Sequence, residues 1–174
     1  IAKHFHCNSG TVWNILNNQG IKLRSIKKYS VNESFFEKID TEEKSYIIGL
    51  LMADGCNYEL KNVVKLAMID EDIVEKVKTI LNYTGPIYKY KPSKLGKNPY
   101  FVLQIFSKKL SQDLAKLGVV YNKTKLAKFP TVEQIPDYLI YHWIRGLHDG
   151  DGCIASNGHH TWLSRIVGTQ HICI

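Results

Sequence analysis

Two aspartates stand out by where they sit. Asp54 ends the apolar run "YIIGLLMADGC" (46–56), and Asp151 ends "WIRGLHDGDGC" (143–153), 97 residues on. In both, glycine and leucine precede a small residue, then Asp-Gly-Cys, so Gly49 recurs as Gly146 and Cys56 as Cys153. A helix C-terminus carries about half a negative charge, which makes an acid there unfavourable. Two such acids brought side by side repel, and a divalent cation removes the conflict. A carboxylate pair of this kind holds metal against a phosphate. One Asp-Gly after a helix is often only a turn; two copies in register are a much rarer coincidence.

The elements that must position the pair follow from spacing. Gly49 and Ala53 are four apart, as are Gly146 and Gly150, so each pair lies on one helix face. Small residues there let two backbones approach closer than the usual 8–10 Å, roughly speaking. Asp40 with Glu43 forms a capping box, placing a helix from near Thr41 to Asp54, stopped by Gly55. The second motif helix runs from near Asp137 to Asp151. Between them the pattern gives strands at 56–60 and 62–69, an amphipathic helix at 70–82 and a hairpin of 85–92 with 99–107. A helix at 108–118 and an irregular connection at 119–136 complete the first copy. Residues 63–73 align with 162–172 at an offset of 99, so the second hairpin is slightly longer than the first. On this alignment the second copy has reached only its first amphipathic helix at Ile174, and the chain reads as a fragment cut at both ends.

Residues 1–28 form a separate unit. Asn8 or Ser9 caps a short helix with Val12, Ile15 and Leu16 on one face, closed by Gly20. Ile1, Ala2 and Phe5 read as the end of an earlier helix. Together they make a helix-turn-helix that presents Ser9, Thr11 and Asn14 to a major groove, followed by the basic tail 22–28; a plain helical hairpin is the alternative.

Composition bounds the partner. The 174 residues carry a formal net charge of +7 with 44% hydrophobic residues, and the pI is near 9.1. A polyanion is expected, nucleic acid before an anionic membrane. No apolar run is long enough to span a membrane and no signal peptide is visible. Cys7, Cys56, Cys153 and Cys173 form neither a CxxC pair nor a disulfide framework and suit a reducing compartment. His4, His6 and Cys7 lack zinc-finger spacing. The histidines have no partnered nucleophile, and His148 reads as a core or interface residue rather than a base.

"IIGLLMADG" (47–55) and "IRGLHDGDG" (144–152) resemble the paired motifs of LAGLIDADG homing endonucleases in the monomeric two-repeat form, over residues 41–174. "KLAMID", "LGVVYNKT" and "FP…IP" are similar to the phage and intron-encoded branch, in which an N-terminal helix-turn-helix is an appendage. The resemblance implies an α+β fold: helix-turn-helix (1–28), linker (29–40), a first αββαββα repeat (41–128), linker (129–136) and a truncated second repeat (137–174). It implies a saddle of antiparallel strands over a long DNA site and hydrolysis of both strands with Mg²⁺, or Mn²⁺. The metal ligands would be Asp54 and Asp151, with Lys123 of "YNKT" as the basic residue near them. The partner implied is double-stranded DNA, with no membrane and no obligate protein partner. The location implied is the cytoplasm of a bacterium or phage-infected host, with an organelle as the alternative.

Met52 stands where the motif has its first Asp, and Asp149 keeps that acid; Asp149 is expected to pair with a nearby base such as Arg145. Cys56 and Cys153 are expected to be small buried residues. Alternation puts Lys61, Lys65, Lys89, Lys91 and Gln104 at DNA-facing positions, with Arg165 in the second copy; Lys94, Lys97 and Tyr88 or Tyr90 would add phosphate contacts. Two further readings are a non-cleaving helix-turn-helix regulator and an RNA maturase. Residues 1–174 alone are expected to bind DNA weakly and not to cut specifically.

Overall fold

Thr41 is extended and its hydroxyl accepts from the Lys44 N–H at 3.4 Å, which starts helix α2, Glu42–Asp54. The cap is therefore Thr41 and not Asp40, whose carboxylate is taken by the Lys44 ammonium at 2.7 Å. In the computed structural model the described residues are 2–21, 29–92, 98–123, 126–156, 158, 162–169 and 171–172. Helix α1, Ser9–Asn18, precedes α2, and its N-cap is Asn8, which accepts from the Gly10 N–H. Val12 and Leu16 are half-buried, but Ile15 is 52% exposed and no residue of α1 is buried. Before it, His6 is left-handed and the Cys7 N–H reaches back to the Ala2 carbonyl. That is how a helix closes, although residues 2–7 form only turns.

After α2 come β1 (Gly55–Tyr58), a 3-10 turn, β2 (Val63–Met68), α3 (Glu71–Ile80), β3 (Ile87–Tyr90), β4 (Tyr100–Phe106) and α4 (Lys108–Lys116). The strands form one antiparallel sheet in the order β1-β2-β4-β3. Val64, Leu66 and Met68 lie opposite Ile105, Leu103 and Phe101 and are buried under the helices. The alternate positions form the open face, with Lys65 opposite both Cys56 and Gln104. Ile47, Ile48, Leu50 and Leu51 are all buried, so α2 is apolar all round. Such a helix lies inside the fold: it packs against the sheet on one side and against α5, Ile140–Asp151, on the other. No helix among the described residues is long and apolar enough to cross a membrane.

Neither stretch expected as a linker is a free connection. Phe35, Phe36 and Ile39 are buried in the core, and the Asn32 N–H donates to the Leu81 carbonyl. In the second stretch Ile135 is buried and the Gln134 amide donates to the Lys116 carbonyl at 2.7 Å. Their apolar residues decide this, because exposing them would forgo about 2 kcal/mol each.

Strands β5 (Gly152–Ser156) and β6 (Trp162–Ile166) pair with Gly152 opposite Ile166 and Cys153 opposite Arg165. In the first copy Gly55 is opposite Leu66 and Cys56 opposite Lys65. The returning strand is thus offset by 100 residues, not 99. One residue of register exchanges the faces, so Arg165 corresponds to Lys65 on the open side and not to Leu66.

Candidate active site

The motif helices meet backbone to backbone. A Cβ on Gly49 would overlap the Trp143 carbonyl oxygen and reach the Leu147 nitrogen at 2.9 Å; one on Gly146 would overlap the Tyr46 carbonyl oxygen and reach the Leu50 nitrogen at 2.9 Å. These contacts are reciprocal under the 97-residue repeat, so α2 and α5 are related by a pseudo-twofold axis. Further along, a Cβ on Gly150 would overlap Ala53 and lie 3.0 Å from Asp54 Oδ2. The helix ends therefore converge, and Asp54 faces the last turn of α5, which ends on Asp151.

The electrostatics follow from this convergence. Burial pushes the Asp54 carboxyl above its ordinary range, the Asp151 charge pushes it further, and Lys123 opposes both. Asp151 is exposed. The Lys123 ammonium donates to the carbonyls of Gly55 at 2.6 Å and Ala53 at 3.0 Å. It thereby satisfies carbonyls that the end of α2 leaves without a helical donor. Burial lowers the Lys123 pKa, while Cys56, Asp151 and Asp54 hold it up. An ammonium has three N–H donors, so one remains for a third partner.

Asn57, a residue the sequence reading passed over, fixes this lysine's segment. It is fully buried, donates to the carbonyls of Ser111 and Val119 at 2.8 and 2.9 Å, and accepts from the Ser111 hydroxyl at 2.6 Å. The Tyr121 N–H donates to Glu59 Oε1 at 3.3 Å, and the Tyr121 ring packs on Tyr58. The signal was available: Asn57 has the inward parity of β1, where a polar side chain needs partners.

The donor set suits a hard cation. Two carboxylates and nearby backbone oxygens are oxygen ligands of the kind Mg²⁺ takes, and Mg²⁺ keeps several waters rather than filling an all-protein cage. Among the described residues no group of three or more His, Cys, Asp or Glu could hold a metal. A cation held by this pair would have two carboxylates and take its other ligands from water or phosphate oxygens.

Other expected residues are placed as follows. Asp149 does not pair with Arg145: its Oδ2 accepts from the Tyr46 hydroxyl at 2.9 Å, and the Arg145 guanidinium lies over the Tyr46 ring at 4.9 Å. His148 is held by the Ser164 hydroxyl at 2.8 Å. Cys56 is half-buried and Cys153 exposed, so neither is the buried residue expected; both stand on the open sheet side. Ser9, Thr11 and Asn14 are exposed on α1. Lys65 and Gln104 share the open face, and the Lys65 ammonium lies 5.5 Å from the Tyr58 ring centre. Arg165 has the equivalent place on β6. Lys89 does not join them: it is opposite Phe101, on the helix-bearing side of the sheet, and is itself exposed on the edge strand, with its ammonium 5.0 Å from that ring. Lys61 is exposed in the 3-10 turn, and Lys91 is exposed just past β3. Lys94, Lys97 and the tail 22–28 lie outside the described residues.

Among curated proteins no match to the chain was found. Residues 41–122, from the N-cap of α2 to the residue before Lys123, match the family described as a LAGLIDADG-like domain. Over residues 41–122 the chain is thus similar to a LAGLIDADG-like domain.

Proposed function

We propose that the protein is a site-specific DNA endonuclease that hydrolyses both strands of a long duplex. One observation carries this reading: Asp54 and Asp151 end two helices that glycines hold in backbone contact, and Lys123 reaches the same point. Asp54 and Asp151 would hold Mg²⁺ or Mn²⁺, one carboxylate for each scissile strand. A bound cation supplies an activated water near neutral pH and charge for the leaving oxygen. The chain's own part is to fix the phosphates. Lys65, Gln104 and Arg165 on the open sheet side contact the duplex, with Lys61 and Lys91 at its margins. Lys123 offers its remaining N–H to a phosphate oxygen, where charge develops. Ser9, Thr11 and Asn14 of α1 add a second DNA contact of the helix-turn-helix kind.

The test is cleavage of a randomised duplex library by the protein expressed from its complete reading frame, with Mg²⁺ and with chelator, beside Asp54→Asn. Cuts that require both Mg²⁺ and Asp54 are expected. Retention of particular duplexes without cuts would replace this reading with a non-cleaving regulator.

A further inference from the structure

The segment that carries Lys123 is anchored from both repeats. Upstream, Asn57 donates to the Val119 carbonyl and Glu59 accepts from the Tyr121 N–H. Downstream, the anchor comes from the stretch that follows β6. The Thr169 hydroxyl donates to the Ala127 carbonyl, and the Phe129 N–H donates to the His171 carbonyl at 2.9 Å. The N–H groups of Leu126 and Ala127 both donate to the Lys123 carbonyl at 2.8 Å. One line of hydrogen bonds therefore runs from Thr169 through Ala127 to Lys123. It continues from the Lys123 ammonium to the carbonyls of Ala53 and Gly55, on either side of Asp54. Thr169 is half-buried, and with Lys123, Ala127 and Asp151 it lines a cavity of about 280 Å³ beside the paired helix ends.

We propose that Thr169 is a positioning residue for Lys123, so that the second repeat sets the lysine that serves the Asp54 end. A lysine side chain has several free torsions, and its ammonium is placed only as well as its backbone is. Ala127 is buried, so its carbonyl needs the hydroxyl that Thr169 brings. The tie is one-sided. By the strand register Ile166 corresponds to Leu66 and hence Thr169 to Ile69, which is exposed and has no hydroxyl. Loss of the tie should therefore be felt on one DNA strand and not on both. That strand effect rests on the endonuclease reading; the tie itself does not.

The test uses the protein expressed from its complete reading frame, with Thr169→Val, which removes the hydroxyl at nearly constant shape, and Thr169→Ser, which keeps it. Amide hydrogen exchange without DNA reads the tie: protection of residues 126–127 should fall in Thr169→Val and return in Thr169→Ser. Cleavage of a duplex recovered from the library, with its two strands labelled separately and enzyme in excess, reads the consequence. Thr169→Val should slow one strand roughly ten-fold, the same strand that Lys123→Met slows more, with Thr169→Ser within about two-fold of wild type. The other strand should be cut as by the wild type. A threonine that only supported the fold would slow both strands alike, in step with a lower Tm. Equal slowing of the two strands, slowing of neither, or unchanged exchange at 126–127 would each overturn the proposal. A wild type that cuts no duplex would overturn the endonuclease reading instead, and the exchange result would then decide the tie.

Discussion

The Tyr46 hydroxyl donates to Asp149 across the helix pair at 2.9 Å, and its pseudo-symmetric counterpart, Trp143 with Met52, makes no such bond: the Trp143 indole nitrogen is buried without a partner. The two motif helices thus share a symmetric backbone interface but not symmetric polar contacts. Tyr46→Phe should cost about 1 kcal/mol, the usual worth of a hydrogen bond. Burial first, then the bond to Asp149, push the Tyr46 hydroxyl up to about 12. A folded-state pKa above the unfolded one contributes stability below pH ~10 that is lost as pH rises toward 12. Urea unfolding at pH 8 and pH 11 checks this: the wild type should lose more between the two than Tyr46→Phe does.

Gly49→Ala and Gly146→Ala should each be severe, because the added methyl meets backbone and not a movable side chain. A loss of about 3 kcal/mol or more is expected for either, at the upper end of overpacking costs. Urea denaturation measures it, and a loss below 1 kcal/mol in either variant would contradict the packing described.

Much of this arrangement was legible in sequence because it rests on periodicity. The paired Gly-x-x-x-small spacing located the helix contact, and the recurrent acid located its end. What was misread involves competition among nearby groups. Asp40 lost the cap to Thr41 because Lys44 claims its carboxylate. Asp149 lost Arg145 to Tyr46 because only the folded helix pair brings that hydroxyl near. Lys89 fell on the helix-bearing side of the sheet, though exposed at its edge, because face is set by register with β4, which the sequence of β3 does not specify. Asn57 was missed because the two residues that take its three hydrogen bonds, Ser111 and Val119, are more than fifty residues away along the chain.

Asp54→Asn should stabilise the protein in chelator, since the carboxylate is half-buried beside Asp151 at a negative helix end. Its raised pKa means that stability falls as pH rises through the carboxyl range. The gain at neutral pH should be roughly 0.5 kcal/mol, about 1–2 °C in Tm for a chain of this length. Millimolar Mg²⁺ should raise the Tm of the wild type and leave Asp54→Asn unmoved. An equal Mg²⁺ response in both would remove Asp54 from the metal site.

Lys123→Met should separate two roles. Loss of the donor to Ala53 and Gly55 should cost about 1–3 kcal/mol, the penalty for unsatisfied carbonyls. Loss of its free N–H should slow cleavage about 10²- to 10³-fold. Lys123→Arg should recover most of the stability. Cleavage rates and melting curves on the same samples distinguish the two.

Asn57→Leu should act on the same lysine from a distance. The buried carbonyls of Ser111 and Val119 would lose their donor, at a cost of about 2–4 kcal/mol. The hydrogen-exchange protection of residues 119–123 should fall with it, and protection unchanged there would show that the segment is held by Tyr58 and Glu59 alone.

The backbone contact at Gly49 and Gly146 also acts as a gauge. Because the two acids close helices that already touch, their separation is inherited from the width of a polypeptide backbone and not from the reach of a loop or a rotamer. Loops drift in length between related chains, as the two hairpins here have done, but a backbone has one width. The spacing of these two helix ends is set by a standard that only a change of glycine can alter.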